Sequence, residues 1–529
     1  GCVPLNVFGA GNQSEAALNY IDAAINVLET NEQDAAVASF SGELWDFWGA
    51  GPIGFALGAE YRKEFTEAVG RDRDTAGRFL LLNTGADLPG VSYETKEFFG
   101  EVAVPLLRDH WLGEFAELSG SYRHFDYTTS GEGDVYGVNL IYRPVRDITF
   151  KSSFNTSFRA PSLGENFQPF GQTFVNNFVD PCSTTVIAGL TDAETQANRI
   201  KNCTALATQK GVVSPNGNPY DFGSTTATQD DDYLPVYGSG IASVLGGNPD
   251  LQPETAESFT FSIALQPRWT PGLSIVLDYY EIEMEDVITF FSGQQVANDC
   301  VSNDELNPIT CDNVFRNDPN NQAGDLYRNF KVGGPNGDDI GGFILRPFNR
   351  LKRETRGLDF QVNYAFDSYD LFGRDFGRFN YSLGGLWLIE QNFYNNPNDP
   401  TDFTDATTGL TYPRMDIVSR LTWQPVEPLA ITWTVDWQSS QDLFEYRDVL
   451  PGGNLDARPV EWFRTGSFTR HDLAVRYNVR DDLTLRVGMT NVFDEQPPQY
   501  LGFVNTFDPY GRRFNIGFNF RPSGSLWPF

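Results

Sequence analysis

Ile148-Thr-Phe-Lys-Ser-Ser-Phe-Asn-Thr-Ser-Phe158 sets Ile148, Phe150, Phe154 and Phe158 on one parity and Thr149, Lys151, Ser153, Asn155 and Ser157 on the other. Successive strand side chains point to opposite faces, so this stretch reads as a strand with one apolar and one polar side. Arg159-Ala160-Pro161-Ser162 follows, then a run rich in Gly, Asn, Asp and Pro that far exceeds the loops of compact soluble domains. Alternation resumes after Gly247-Asn248-Pro249-Asp250-Leu251-Gln252-Pro253-Glu254, with Phe259, Phe261, Ile263 and Leu265 against Thr260, Ser262 and Ala264.

The same unit recurs along the chain. Period-two segments lie near 35–48, 53–65, 94–106, 112–127, 135–143, 148–158, 255–266 and 273–283, then near 357–366, 376–393, 416–423, 429–437, 471–479, 483–492 and 513–521. That makes fifteen strands, joined by connections that alternate short and long. Residues 1–34 read as a loop segment with one short helix, capped by Ser14 and carrying Leu18, Ile21, Ile25 and Leu28 at helical spacing. The strands and loops fill 35–521, with large loops at about 159–253 and 285–354, and 522–529 forms a tail whose two prolines suit no strand.

A soluble sandwich would also alternate. Here the segments run to about ten residues, where soluble strands average about five or six. Tyr279, Tyr477, Trp433 and Trp437 share the parity of the aliphatic residues, several near strand ends, as in the aromatic girdles of membrane barrels. No run of eighteen apolar residues offers a transmembrane helix. A closed antiparallel barrel also satisfies every backbone group inside lipid, which an open sheet cannot. The fold class is therefore all-β, a transmembrane antiparallel β-barrel.

A net charge of −32 excludes nucleic acid as a partner, because phosphate binding needs a basic surface. Cys182 and Cys203 bracket one loop segment, and Cys300 and Cys311 another, so two local disulfides in an oxidising compartment are expected. Cys2 is left over, with a partner expected upstream of Gly1. No signal peptide opens the chain, which implies a removed leader or a start in mid-protein. His110, His124 and His471 have no nucleophile or metal-ligand partner at catalytic spacing, so no enzyme and no catalytic metal site is read. Asp230 to Asp232 and the acidic run from Asp312 to Asp325 could give oxygen ligands to Ca2+, but neither has an EF-hand pattern and solvated loop charge is the simpler reading. Glu281, Glu283 and Glu285 continue the outward parity of Leu277 and Tyr279 above the lipid.

Four motifs, in this order, resemble TonB-dependent outer-membrane receptors. Cys2-Val-Pro-Leu-Asn-Val-Phe-Gly9 is similar to a loop segment of one subgroup. Phe158-Arg-Ala-Pro-Ser-Leu-Gly-Glu-Asn-Phe167 is similar to the family's FRAPS-type strand end, and 247–254 to its GNPDLxPE strand start. Asn491-Val-Phe-Asp494, Gly511-Arg-Arg-Phe514 and a final strand resemble its C-terminus. The resemblance implies a barrel of 22 strands, of which this chain would hold the last fifteen. A plug, a TonB box and about seven early strands are then expected outside this sequence, or on a companion chain. Strand parity places 1–34 in an extracellular loop, and Phe529 remains available to the assembly machinery.

The function implied is capture of a scarce nutrient, such as a siderophore or saccharide, by extracellular loops and its import with TonB-coupled energy. Expected partners are the TonB complex acting through the plug, the small-molecule ligand, and the lipid and lipopolysaccharide of the outer membrane. A passive porin-like channel and a structural or adhesive surface barrel are the alternatives. Phe170, Tyr233, Tyr237, Tyr327, Arg346, Phe348 and Tyr446 are the loop residues able to stack on or hydrogen-bond a ligand.

Overall fold

The computed structural model describes residues 4–21, 26–70, 86–211, 213–214, 216–223, 231–235, 240–314, 342–394, 403–442, 464–497 and 507–521. Numbered in chain order, nineteen strands are described. The first six are β1 (Leu28–Glu43), β2 (Gly54–Val69), β3 (Leu88–His110), β4 (Gly113–Tyr127), β5 (Gly131–Val145) and β6 (Ile148–Arg159). Then come β7 (Gly171–Asn176), β8 (Gly240–Leu245), β9 (Glu254–Leu265), β10 (Leu273–Phe290), β11 (Ile344–Leu345), β12 (Pro347–Asp367), β13 (Arg378–Tyr394) and β14 (Phe403–Asp405). The last are β15 (Met415–Val426), β16 (Leu429–Gln438), β17 (Phe468–Arg480), β18 (Leu483–Thr490) and β19 (Arg513–Phe520).

Fifteen of these follow one another in a single sheet, β1 to β6, then β9, β10, β12, β13 and β15 to β19, and each pairs antiparallel with its neighbour. β14 adds a short flap on β13, while β7, β8 and β11 form a separate small sheet. Among the described residues, β1 and β19 are the two edges of the large sheet.

Register carries parity across the whole sheet. Leu429, Ile431, Trp433, Val435 and Trp437 stand opposite Tyr477, Val475, Leu473, His471 and Thr469. Leu473, Val475 and Tyr477 face Met489, Val487 and Leu485 in turn, and these face Phe514, Ile516 and Phe518. In the other direction Ile417, Leu421 and Trp423 meet the same β16 residues. The row continues through Phe379, Tyr381 and Leu383, Phe366, Tyr364 and Val362, and Ile275 and Leu277, to Leu265 and Ile263 and Ile148 and Phe150. A one-residue slip anywhere would swap the two faces. The apolar face is bare: on strands paired at both sides Leu421 is 40% and Val487 51% exposed. Exposed apolar rows of this extent suit lipid rather than water. The opposite face carries Ser, Thr, Asn, Gly and paired charges, and lines the lumen.

Several boundaries differ from the sequence reading. The first strand is Leu28–Glu43 rather than 35–48, because Leu28 to Glu43 stay in unbroken register with β2. The expected helix is accordingly cut to Glu15–Ile21, with Leu28 given to the strand. Residues 44–53 make a ten-residue turn in which Trp48 Nε1 donates to the Pro105 carbonyl at 2.7 Å. The short–long alternation also breaks once: only 128–130 join β4 to β5 at the long-loop rim. β10 runs on to Phe290 and β12 starts at Pro347, so the second large loop is 291–346. The loop segment helix has company, since helices also occupy Leu163–Phe167, Thr184–Ala188, Ala193–Lys210, Gly293–Val301, Pro308–Cys311 and Ser368–Phe372.

An arginine placed on either face gives a direct check. Leu421→Arg should cost about 2–4 kcal/mol in urea unfolding from lipid vesicles, as for a cation at the bilayer midplane. Thr422→Arg, one residue along and on the lumenal face, should cost about 1 kcal/mol, for the hydroxyl contact with Thr432 that it removes.

Candidate functional site

The described residues of the loops 160–253 and 291–346 fold into one cap. Two apolar clusters hold it. Val175, Phe178 and Ile241 from the first loop pack with Phe291, Val296 and Phe343 from the second and with Phe348 at the start of β12. Cys182, Ile187, Cys203, Tyr220, Phe222 and Tyr233 from the first pack with Cys300 and Val301. Cys182 is bonded to Cys203, and Cys300 to Cys311, as the spacing suggested. Both bridges therefore sit in a core shared by the two loops.

The helix Ala193–Lys210 runs along that core. Asp192 caps it by accepting from Thr195 N at 2.8 Å, and Gly211 ends it in the left-handed region at φ 67°. Asn202 ties it across to the other loop by donating to the carbonyls of Val301 at 3.1 Å and Asn303 at 2.7 Å.

The cap is fastened to the sheet by the two most diagnostic motifs. Arg159, ending β6, donates from Nε to Glu254 Oε2 at 2.6 Å and from Nη2 to Glu254 Oε1 at 2.7 Å. Its Nη1 reaches Glu165 Oε2 at 3.0 Å. Glu165 closes the capping box of the Leu163–Phe167 helix, accepting from Ser162 N at 2.8 Å. Glu254 Oε1 also accepts from Ile288 N at 2.7 Å, which brings in β10. Asn248 Nδ2 donates to the Pro347 carbonyl at 2.9 Å, and Asn349 bonds Gln252 through both its amide atoms, so β12 joins the knot as well. Gly247 is needed there, since a Cβ would lie 2.7 Å from the Asn166 and Gln168 backbone.

Below the cap, the lumenal face of β2 to β4 holds a second polar group. Arg123 lies 2.8 Å from Glu60 and 2.5 Å from Glu97. A hollow of about 340 Å³ opens beside it, lined by Glu60, Phe99, Glu101, Ser121 and Asn155. Farther along the same lumenal face Arg470 bridges Asp436 at 3.0 Å and Asp472 at 3.4 Å. There Asn491, fully buried, bonds the Asp472 carboxylate through its backbone N–H at 2.8 Å. The NVFD and GRRF motifs meet at this point, with Arg512 N donating to Asp494 Oδ1 at 2.9 Å.

The sequence matches the family described as TonB dependent receptor-like, beta-barrel, over residues 6–492. The chain belongs to that family. It is thus an outer-membrane β-barrel, of a family of transport receptors rather than enzymes. Solved structures with the same fold include the siderophore receptor PirA from Acinetobacter baumannii, at TM-score 0.56 and 14% identity, covering 93% of this chain and 55% of that one. The ferric enterobactin receptor PfeA from Pseudomonas aeruginosa, in complex with enterobactin, gives TM-score 0.54 at 15% identity, with 93% and 54% covered. The Serratia marcescens hemophore receptor HasR, in complex with its hemophore HasA and heme, gives 0.50 at 14%, with 93% and 59% covered. The chain spans between half and three fifths of the length of these receptors. Among curated proteins no sequence matches it.

Within this receptor barrel the seven loop residues fare differently. Tyr233 is 4% exposed, packed edge-on to Tyr220, and Phe348 is 5% exposed in the other cluster, against Phe291. Both lie in the apolar clusters that hold the cap. Phe170 and Arg346 are brought together, the guanidinium 5.3 Å from the ring centre. Tyr237, Tyr327 and Tyr446 lie outside the described residues. Of the acidic runs, Asp231 is engaged by Asn216 Nδ2 at 2.6 Å and Ser214 Oγ at 3.0 Å, and most of 312–325 lies outside the described residues. Above Tyr279, Glu281 accepts from the Tyr279 hydroxyl at 2.9 Å, and Glu283 pairs with Lys352. Charge knots at 60–123 and 436–513 were missed in the sequence, since their members are far apart in it and meet only across the sheet.

Burial raises the Glu165 pKa, but the hydrogen bonds from Arg159 and Ser162 outweigh it and hold the carboxyl below the ordinary glutamate value. A depressed folded value stabilises above the unfolded pKa and is lost as pH falls through the folded one. Limited proteolysis of 160–253 should therefore be slow at pH 7 and accelerate below about pH 4, and Glu165→Gln should show the fast rate at both. Separately, Cys182→Ser with Cys203→Ser should loosen the cap by about 2–4 kcal/mol, read as faster amide exchange over 184–210 with the barrel strands unchanged.

Proposed function

We propose that this barrel is part of an outer-membrane receptor that captures a scarce small-molecule nutrient under its cap and imports it with TonB-coupled energy. The observation that carries the reading is the built cap: two disulfide-stapled loops docked by an arginine–carboxylate clamp over a polar lumen. A passive pore has no need of so ordered a roof. The siderophore and hemophore receptors of the same fold give the ligand class most worth testing first.

Energy coupling calls for a plug inside the lumen and a TonB contact segment. It also calls for a closed wall. β1 and β19 both run from the long-loop rim to the short-turn rim, so antiparallel closure takes an odd number of further strands. Seven would complete the 22 that the family resemblance implies, from the same polypeptide or a companion chain.

Uptake by cells carrying the native protein tests this. Under iron starvation, and in parallel on single carbon sources, deletion should abolish growth on one nutrient at low concentration. Uptake of that nutrient should stop on adding a protonophore. Uptake that persists without proton-motive force, together with steady conductance in planar bilayers, would instead establish a passive channel.

A further inference from the structure

With 70 acidic residues against 38 lysines and arginines, a guanidinium in this chain readily finds a carboxylate. Arg62, Arg123, Arg159, Arg268, Arg356 and Arg470 each have one within ion-pair distance. Arg346 does not. Among the described residues nothing forms an ion pair or hydrogen bond with it, and its Nε is buried without an acceptor.

Its position is nonetheless fixed. Arg346 links β11 to β12 at the floor of the cap, and its guanidinium lies over Phe170. Phe170 is itself wedged against Gly246, where a Cβ would come within 2.5 Å of the ring. Gly246 N donates to the Leu345 carbonyl at 3.0 Å, so ring and arginine are set by the same backbone contact.

Burial pushes the Arg346 pKa down, and the field of Asp250 offsets this only in part. Holding a half-buried charge without a partner costs stability, so the fold alone gives no reason to keep it. Stacking on an aromatic face occupies the plane of the guanidinium and leaves its edge N–H groups for a planar acceptor. Carboxylates and phosphates fit that fork with two parallel hydrogen bonds.

We propose that Arg346, stacked on Phe170, is an oxyanion subsite under the cap. The ligand then carries a carboxylate-type or phosphate-type group rather than being a neutral saccharide. The inference rests on the reading of the cap as a ligand-capturing roof.

Purified full-length protein in detergent, titrated with citrate, inorganic phosphate and maltose, tests it. Calorimetry should show citrate or phosphate binding to the wild type and none of maltose. Arg346→Gln should weaken the oxyanion by about tenfold or more, and Arg346→Lys, which keeps charge without the fork, by less. Without ligand, Arg346→Gln should unfold at the same temperature as wild type or higher, because an unpaired charge has been removed. Phosphate binding without citrate would point to a phosphorylated ligand, and the reverse to a carboxylate. An Arg346→Gln protein that unfolds earlier and still binds oxyanions as wild type does would overturn the proposal, as would maltose binding in place of both anions. The titration needs neither TonB nor proton-motive force, so its failure and the failure of the uptake reading are separable.

Discussion

Inside hydrocarbon a backbone amide has no water to turn to, and each unpaired one costs several kcal/mol. That requirement governs this protein. It forces strand to pair with strand across the whole sheet, and pairing in register passes the in–out parity of one strand to the next. Leu429 to Trp437 thereby determine which way Phe514, Ile516 and Phe518 face, although β17 and β18 lie between them. The polar face is then free to carry charges such as Arg123 with Glu60 and Glu97, which would be untenable against lipid.

The diagnostic motifs prove to be fasteners. FRAPS contributes Arg159, and GNPDLQPE contributes Glu254 and Asn248, so two motifs about ninety residues apart close on each other and on β10 and β12. NVFD and GRRF do the same at the C-terminal side through Asn491, Asp494 and Arg512. Motifs of this kind mark where long loops are anchored to a lipid-embedded wall, which is why they identify the fold and say little about the ligand.

The barrel was legible in the sequence because a period of two needs no distant information. Fifteen strands were readable, with errors where alternation weakens, as at Leu28, where β10 and β12 run on past it, where a loop shrinks to 128–130, and in the short β7, β8, β11 and β14 of the loops. The cap was not legible. The helix Ala193–Lys210 lies among polar residues and its partners sit a hundred positions away in the second loop. Sequence was silent on the burial of Tyr233 and Phe348, because their neighbours come from distant positions. The cysteine spacing gave the bridges, but not that both would share one core.

The two faces of the sheet meet different solvents. Single cysteines placed along 429–438 in protein reconstituted into lipid vesicles, with Cys2 replaced, can be challenged with a membrane-impermeant thiol reagent. Positions 430, 432, 434 and 436 should react and 431, 433 and 435 should not, in strict alternation. Reactivity that is uniform, or that falls smoothly along the strand, would contradict a wall with lipid on one side and a water-lined interior on the other.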